Sequence, residues 1–264
     1  IKTMKPWVQF GISPFGVWRN QSDDQRGSST EAGQTNYDDL YADIVLWMKS
    51  GWIDYILPQA YWHIGHDKVD YKEVVQWWAK NSYGTNLYIG HGLYRLGKIT
   101  EDKAWLSQNP TEIERQLTAN KHLSAIKGSV YFSAKSLKEN PYDINKTLTN
   151  NFYKNPVLQP IANKKEKFTP QPVVNARLSK LKNKQYLLEW DVTAENISFQ
   201  AVKFLVYVFD HKEDHNIYKT SNIISLTGET KLKISKKTLQ SGKSLVIIGV
   251  SKNNDLSSPV SIKI

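Results

Sequence analysis

Residues 53–65 read IDYILPQAYWHIG, an apolar run with the look of a buried strand that ends in Pro58, Gln59, Ala60, Tyr61 and Trp62. Burying an amide such as Gln59 without a partner costs about 1–3 kcal/mol, so a polar and aromatic strand end points to a wet, functional edge. Side chains alternate along a strand, which puts Tyr55, Leu57 and Gln59 on one side and Asp54 and Ile56 on the other. Asp54, at the strand start, reads as a structural hydrogen-bonding group.

The chain outward from this stretch has 264 residues with 9 Trp, 14 Tyr and 8 Phe, enough apolar matter for more than one domain. No apolar run approaches the ~20 residues of a bilayer span. Without cysteine there is neither disulfide nor thiolate metal site. The net charge of +10 divides into 20 basic against 16 acidic residues over 1–165 and 15 against 9 over 166–264. The C-terminal lysines alternate with apolar residues, as in Lys231, Leu232, Lys233, Ile234, a pattern that also protects strand edges from aggregation. Eight of the nine tryptophans precede residue 160, and the stretch 156–172 is rich in Pro and Lys. Two domains are therefore expected, over 1–160 and 170–264, joined by a linker over 161–169.

Apolar runs and helical patterns alternate in the first domain. The pattern predicts strands over Trp7–Ile12, Ile53–Leu57, Leu87–Gly90 and Ser129–Phe132. It predicts helices over Tyr37–Ser50, capped by Asn36 and stopped by Gly51; after Asp70, with Glu73 at capping-box spacing; after Thr111; and from about Tyr142 to Phe152. Four strand–helix alternations are the mark of parallel βα units. A complete (β/α)₈ barrel needs roughly 250 residues. From Thr169 onward seven short strands are expected, over Val173–Leu178, Tyr186–Trp190, Val202–Phe209, Asn222–Leu226, Lys231–Ile234, Leu245–Ser251 and Val260–Ile264, as in a β-sandwich.

The segments GISPFGVWRN (11–20), GWIDYILPQAYW (51–62), DYKEVVQWW (70–78) and IGHGLYRLG (89–97) resemble glycosidase-like family 10, bacterial barrel proteins related to chitinase-like glycoside hydrolases. The similarity covers nearly all of residues 5–160 in consistent order, and the second domain resembles a fibronectin type III sandwich. The resemblance implies an α/β plus all-β chain in which the four βα units are the second half of a (β/α)8 TIM barrel, its first half being the missing partner. It further implies export to the bacterial cell envelope or periplasm, with lipid anchoring through a missing N-terminus.

Barrel enzymes carry their sites at the C-terminal strand ends. On that reading Trp18, Tyr61 and Trp62 offer apolar faces to pyranose rings, Gln59, Asn20 and Arg19 meet hydroxyls or an acidic substituent, and Ser13, His91 and Tyr94 complete the substrate-binding set. Trp47, Trp52, Trp77 and Trp78 are assigned to the shell between helices and barrel. Glycoside hydrolysis needs a carboxylic acid to protonate the leaving oxygen. The resemblance places that acid in an Asp-Asp pair before Ile1; Asp38-Asp39 suits a first helical turn instead, and Asp23, Asp24 and Glu31 read as solvated loop acids. His63, His66 and Asp67 share a loop without a third spaced ligand, so no metal is expected. The chain has no P-loop, dinucleotide fingerprint or Ser-His-Asp order, and no cofactor is expected. The expected partner is a glycan polymer or oligosaccharide, with peptidoglycan strands leading. A non-catalytic carbohydrate-binding or adhesion protein is the alternative, and nucleic-acid binding a distant third.

Overall fold

The computed structural model describes residues 1, 3–5, 8–98, 102–106, 110–161, 169–193, 201–210, 216–217, 219–239 and 242–264. The chain forms two compact units, Ile1–Phe152 and Tyr153–Ile264. The linker expected over 161–169 lies, apart from its two ends, outside the described residues, as does Trp7.

The first unit is built on a parallel sheet. Strand β1 (Gly11–Ile12) pairs with β2 (Tyr55–Ile56), which pairs with β4 (Asn86–His91); β3 (Gln59–Ala60) continues β2 along the same edge of β4, and β5 (Ile126–Tyr131) lies on the other edge. The opening stretch is thus one strand interrupted. Pro58 has no N–H to donate, so the ladder lapses at Leu57-Pro58 and resumes with Gln59 opposite Gly90. The Pro58 carbonyl still accepts from Gly90 N at 2.9 Å. Ile56, Ala60, Leu87 and Ile89 face the helices and bury with Ile44, Val74 and Trp78, whereas Tyr55, Leu57, Gln59 and Tyr88 are half-exposed on the opposite face. Asp54 is buried as a strut: it accepts from Phe10 N at 2.7 Å.

The helices are α1 (Ile44–Lys49), α2 (Tyr71–Lys80), α3 (Glu112–Asn120), α4 (Ala134–Glu139) and α5 (Ile144–Thr147). Helix α1 starts seven residues later than the sequence predicts. Tyr41 has φ 51°, which a helix cannot accommodate, and Asp43 rather than Asn36 caps it. Asn36 instead donates to the carbonyls of Phe15 and Val17. Asp70 caps α2, and Thr111 with Glu114 forms a reciprocal capping box on α3. Strand β5 begins at Ile126 and runs through Gly128, three residues before the expected start at Ser129. Trp78 is fully buried, but Trp52 is 63% exposed and does not belong to the inner shell.

The second unit is a sandwich of seven antiparallel strands among the described residues: β6 (Val174–Lys180), β7 (Gln185–Asp191), β8 (Lys203–Asp210), β9 (Ile223–Thr227), β10 (Lys231–Ser235), β11 (Lys243–Val250) and β12 (Val260–Lys263). One sheet runs β10-β7-β6 and the other β12-β11-β8-β9. Trp190, Phe204, Val206, Leu245 and Ile247 fill the space between them. All seven strands fall within a few residues of the expected spans; β8 and β11 are recognisable as continuous apolar runs rather than by alternation.

Gly51 closes α1 with both bonds of a Schellman motif, Trp52 N to Trp47 O and Gly51 N to Met48 O, each 3.0 Å. Its φ of 64° is open to glycine, and its Cβ direction is empty. Gly51→Ala is expected to cost about 1 kcal/mol by backbone strain alone, whereas Gly33→Ala, also facing open space but at ordinary φ, leaves stability unchanged. Chemical denaturation of the two variants beside the parent chain measures the difference.

Candidate glycan-binding site

Because β3, β4 and β5 run parallel and in register (Ala60 beside His91, His91 beside Tyr131), their C-terminal ends deliver three successive loops to one edge. Tyr61, Tyr94 and Phe132 meet there. Tyr61 and Phe132 are stacked at 6.1 Å, and Tyr94 stands edge-on to both at 5.9 Å. Backbone bonds fix the cluster: Phe132 N donates to His91 O and Tyr94 N to Phe132 O, both 3.0 Å. Tyr94 and Phe132 are exposed and Tyr61 half-buried. Burial, with Tyr94 nearby, raises the Tyr61 phenol above its ordinary value, so its hydroxyl stays protonated. Phe132 is outside the site set that the sequence suggests, although its place at the end of the expected strand Ser129–Phe132 is the available signal.

Beside the aromatic cluster, Gln59 donates its amide N–H to Ser13 O at 3.0 Å, and Ser13 donates its hydroxyl to Leu57 O at 3.0 Å. This pair bridges the ends of the first two strands, with Ser13 exposed and Gln59 half-exposed. Trp62 has two duties. It is half-buried against the helix-side core and edge-on to Phe15 at 6.2 Å. It lies so close over Gly16 that a Cβ there would collide with the ring.

Four residues expected on the substrate face are elsewhere. Trp18 is buried at 3%, stacked on Trp77 at 5.5 Å. Arg19 grips Asp38 through two nitrogens at 2.6 and 2.9 Å and Asp24 at 2.8 Å, its guanidinium 4.5 Å from the Tyr37 ring. Asn20 is buried and ties its own loop: its oxygen accepts from Ala32 N and Thr30 Oγ1, and its amide donates to Ala32 O. These three hold the loop after β1 in shape. His91 is completely buried and faces the helices, stacked between Tyr71 and Tyr131. Strict alternation from Leu87 and Ile89 was the signal that put it there.

The His91 surroundings form a relay of buried polar groups behind the site. Gln116 of α3 donates from Nε2 to Trp62 O and to Glu112 Oε1, both 3.0 Å, which leaves its Oε1 to face His91 Nδ1 at 2.9 Å. His91 therefore carries its proton on Nδ1 and accepts at Nε2 from Ser129 Oγ, 3.0 Å away. Glu112 is buried too, accepting from Ile64 N at 2.8 Å and Arg115 Nη1 at 3.0 Å. Burial raises its carboxyl above the ordinary value against these bonds. The relay pins Trp62 and Ile64, the loop that begins with Tyr61.

Of the loop acids, Asp24 sits between Arg26 and Arg19, whose guanidinium groups hold its carboxyl well below the usual range; it is a poor proton donor. Asp23 is exposed next to Asn20, and Glu31 is exposed with its backbone N–H on Lys68 O. Asp38 and Asp39 lie before α1, not in its first turn; Asp38 pairs with Arg19 and Asp39 accepts from Thr35 N and Oγ1. His63 and His66 are neighbours at 5.2 Å, His63 reaching Asp102 at 3.4 Å and His66 accepting from Val69 N. Among the described residues no group of three or more His, Asp or Glu is arranged to hold a metal ion.

Burial pushes the His91 ring down to about 4. At pH 5 His91 is therefore expected to remain neutral, and long-range ¹H–¹⁵N imidazole spectra at that pH should contain a neutral Nδ1-H ring pattern that is missing in His91→Gln.

Residues 1–107 match the family model Glycosyl hydrolase-like 10. Glycosyl hydrolase YngK of Bacillus subtilis (strain 168) is 37% identical over 222 residues, 83% of this chain and 43% of that protein. Glycosyl hydrolase DigH of Escherichia coli (strain K12) is 39% identical over 136 residues, 50% of this chain and 31% of that protein. The chain thus spans less than half the length of either relative. Among solved structures, the Spr0440 glycoside hydrolase domain of Endo-D from Streptococcus pneumoniae R6 aligns with 39% of this chain and 16% of its own at 18% identity, TM-score 0.27. A structure titled FN3tt mut aligns with 36% of this chain and 94% of its own at 16% identity, TM-score 0.27. With YngK and DigH as its curated relatives, the first unit, over residues 1–107, belongs to the glycosyl hydrolase-like 10 family.

Proposed function

We propose that this chain is the sugar-binding part of a glycoside hydrolase acting on bacterial envelope glycans, peptidoglycan strands first among them. The observation that carries the proposal is the meeting of Tyr61, Tyr94 and Phe132 at the C-terminal ends of three adjacent parallel strands. Aromatic faces pack against the C–H faces of pyranose rings, and Gln59 with Ser13 adds neighbouring hydroxyl partners. Trp62 serves chiefly as the floor that positions Tyr61. A protein acting on such glycans works outside the cytoplasmic membrane, and we extend the proposal to export into the envelope with a lipid anchor on a preceding segment.

The proposal includes the source of the acid. Asp24 is committed as a carboxylate, Asp38 and Asp39 are bonded within their own loop, and Glu112 is buried on α3 with its carboxylate on Ile64 N. The proton donor would then come from a segment before Ile1, which would also build the remaining cleft wall and complete the barrel. Losing general acid catalysis alone costs a factor of about 10² to 10⁴, and lost positioning adds to it.

The purified 264-residue chain and a longer protein carrying the upstream segment are incubated with peptide-free peptidoglycan strands and with chito-oligosaccharides, products being followed by mass spectrometry. Cleavage by the longer protein alone is the expected result. Cleavage by the short chain, abolished in Asp23→Asn or Glu31→Gln, would overturn the assignment of the acid; cleavage by neither would favour a non-catalytic carbohydrate-binding protein. In the longer protein Tyr61→Ala and Tyr94→Ala are each expected to weaken glycan binding about tenfold, about 1.4 kcal/mol. Isothermal titration measures the loss. Trp62→Ala, by contrast, lowers the melting temperature as well, because its ring also packs against the core.

A further inference from the structure

The chain's positive charge is concentrated in one unit. Residues 153–264 contain 18 Lys and Arg against 9 Asp and Glu, while residues 1–152 contain 17 against 16. Within the sandwich the charge is further gathered at one end of the β10-β7-β6 sheet. The β6–β7 hairpin carries Lys180, Lys182 and Lys184, with Leu181 N bonded to Gln185 O across it at 2.8 Å. Strand β10 ends at the same level, Ser235 opposite Gln185, and Lys236 N donates to Lys184 O at 2.9 Å. Lys233, Lys236 and Lys237 thereby join the three hairpin lysines.

All six side chains are exposed, and among the described residues none has a carboxylate partner. The sheet's acids lie toward its other end: Glu189 is opposite Lys231 and near Arg177, and Asp191 is near Arg177 as well. Four residues of strand, about 13 Å, separate Gln185 from Glu189, whereas Lys233, opposite Leu187, is two residues or about 7 Å from it. The longer distance exceeds the Debye length of about 8 Å at physiological ionic strength, so those acids temper Lys233 but do little to neutralise the other five lysines. Holding six like charges together in water is unfavourable, and solubility alone would be served as well by dispersed lysines.

What else lies at that end narrows the partner. No large apolar side chain is exposed there among the described residues; those of this unit are Tyr153, Val157, Val174 and Val202. A bilayer-docking surface combines basic residues with an apolar wedge, and a single-stranded nucleic-acid surface places aromatic rings for bases to stack on. This end has lysines alone. We propose that the lysine end of the sandwich, Lys180, Lys182, Lys184, Lys233, Lys236 and Lys237, is a binding surface for an anionic polysaccharide, a sugar polymer bearing carboxylate, sulfate or phosphate groups. The interaction is electrostatic, driven by release of counterions from the polymer, and does not depend on the glycan reading of the first unit.

The test uses the whole 264-residue chain and four probes: polygalacturonate, heparin, a 20-residue oligothymidylate, and vesicles containing phosphatidylglycerol. Binding is measured at several salt concentrations for the parent chain, for Lys182→Gln/Lys184→Gln/Lys236→Gln/Lys237→Gln, and for a charge-matched control, Lys154→Gln/Lys203→Gln/Lys252→Gln/Lys263→Gln. The parent is expected to bind at least one polysaccharide more tightly than the oligonucleotide or the vesicles. The cluster variant should bind at least tenfold more weakly at 150 mM salt, with the slope of log K against log salt shallower by about two to three, while the control keeps the parent's slope to within one. Thermal melting confirms that both variants remain folded. Equal losses in both variants would mean diffuse charge rather than a site, and overturn the proposal; so would tighter binding to DNA or vesicles, or no polysaccharide binding.

Discussion

A single buried amide ties the three strand ends together. Gln116 is wholly buried on α3, yet its two ends are committed in opposite directions: the nitrogen to Trp62 O and Glu112, the oxygen to His91. Through Trp62 it holds the loop after β3, through His91 the end of β4, and through His91 and Ser129 it reaches β5. A buried amide in such a place is stabilising only when every partner is present, since each orphaned group costs about 1–3 kcal/mol. That all-or-nothing character makes the geometry of the aromatic cluster specific. Apolar packing alone would let the loop slide by fractions of an ångström; the relay does not.

The loop after β1 follows a second version of this logic with charge in place of amides. Arg19 bridges Asp24 and Asp38, and Arg26 returns to Asp24 while lying 5.4 Å from the Trp18 ring. Trp77 and Trp78 of α2 then latch the loop, donating their indole N–H groups to Arg26 O and Gly16 O, each 2.7 Å. Surface ion pairs are worth little individually. Here a bidentate guanidinium is already framed by aromatic rings and two backbone carbonyls are fixed by indoles, so the pairs act on a backbone with little freedom left to lose. The result is a braced loop whose start, Phe15, pairs with Gln59.

This explains which parts of the molecule could be read from its residues. Local rules sufficed where a feature is decided by a few neighbours: Gly51 as a helix stop, Asp70 and Thr111 as helix caps, and the seven sandwich strands with their turns. They failed where a side chain's fate is decided by distant partners. Asn36 has the chemistry of a cap, but Phe15 O and Val17 O claim it from 19 to 21 residues away. Trp18, Arg19 and Asn20 have the chemistry of sugar ligands, yet the ring of Trp77 and two aspartates complete them from within. Residue type names the interaction that a side chain can make, and only the fold decides with whom.

On the functional proposals above, the two units would recognise polymer by forces that respond oppositely to the medium. The first unit is nearly neutral, and ring stacking against sugar is apolar burial, which salt does not screen and kosmotropic salts strengthen. The second is strongly basic, and its attraction to a polyanion weakens steeply with ionic strength. Raising salt would therefore weaken the lysine contact while leaving the aromatic contact in place.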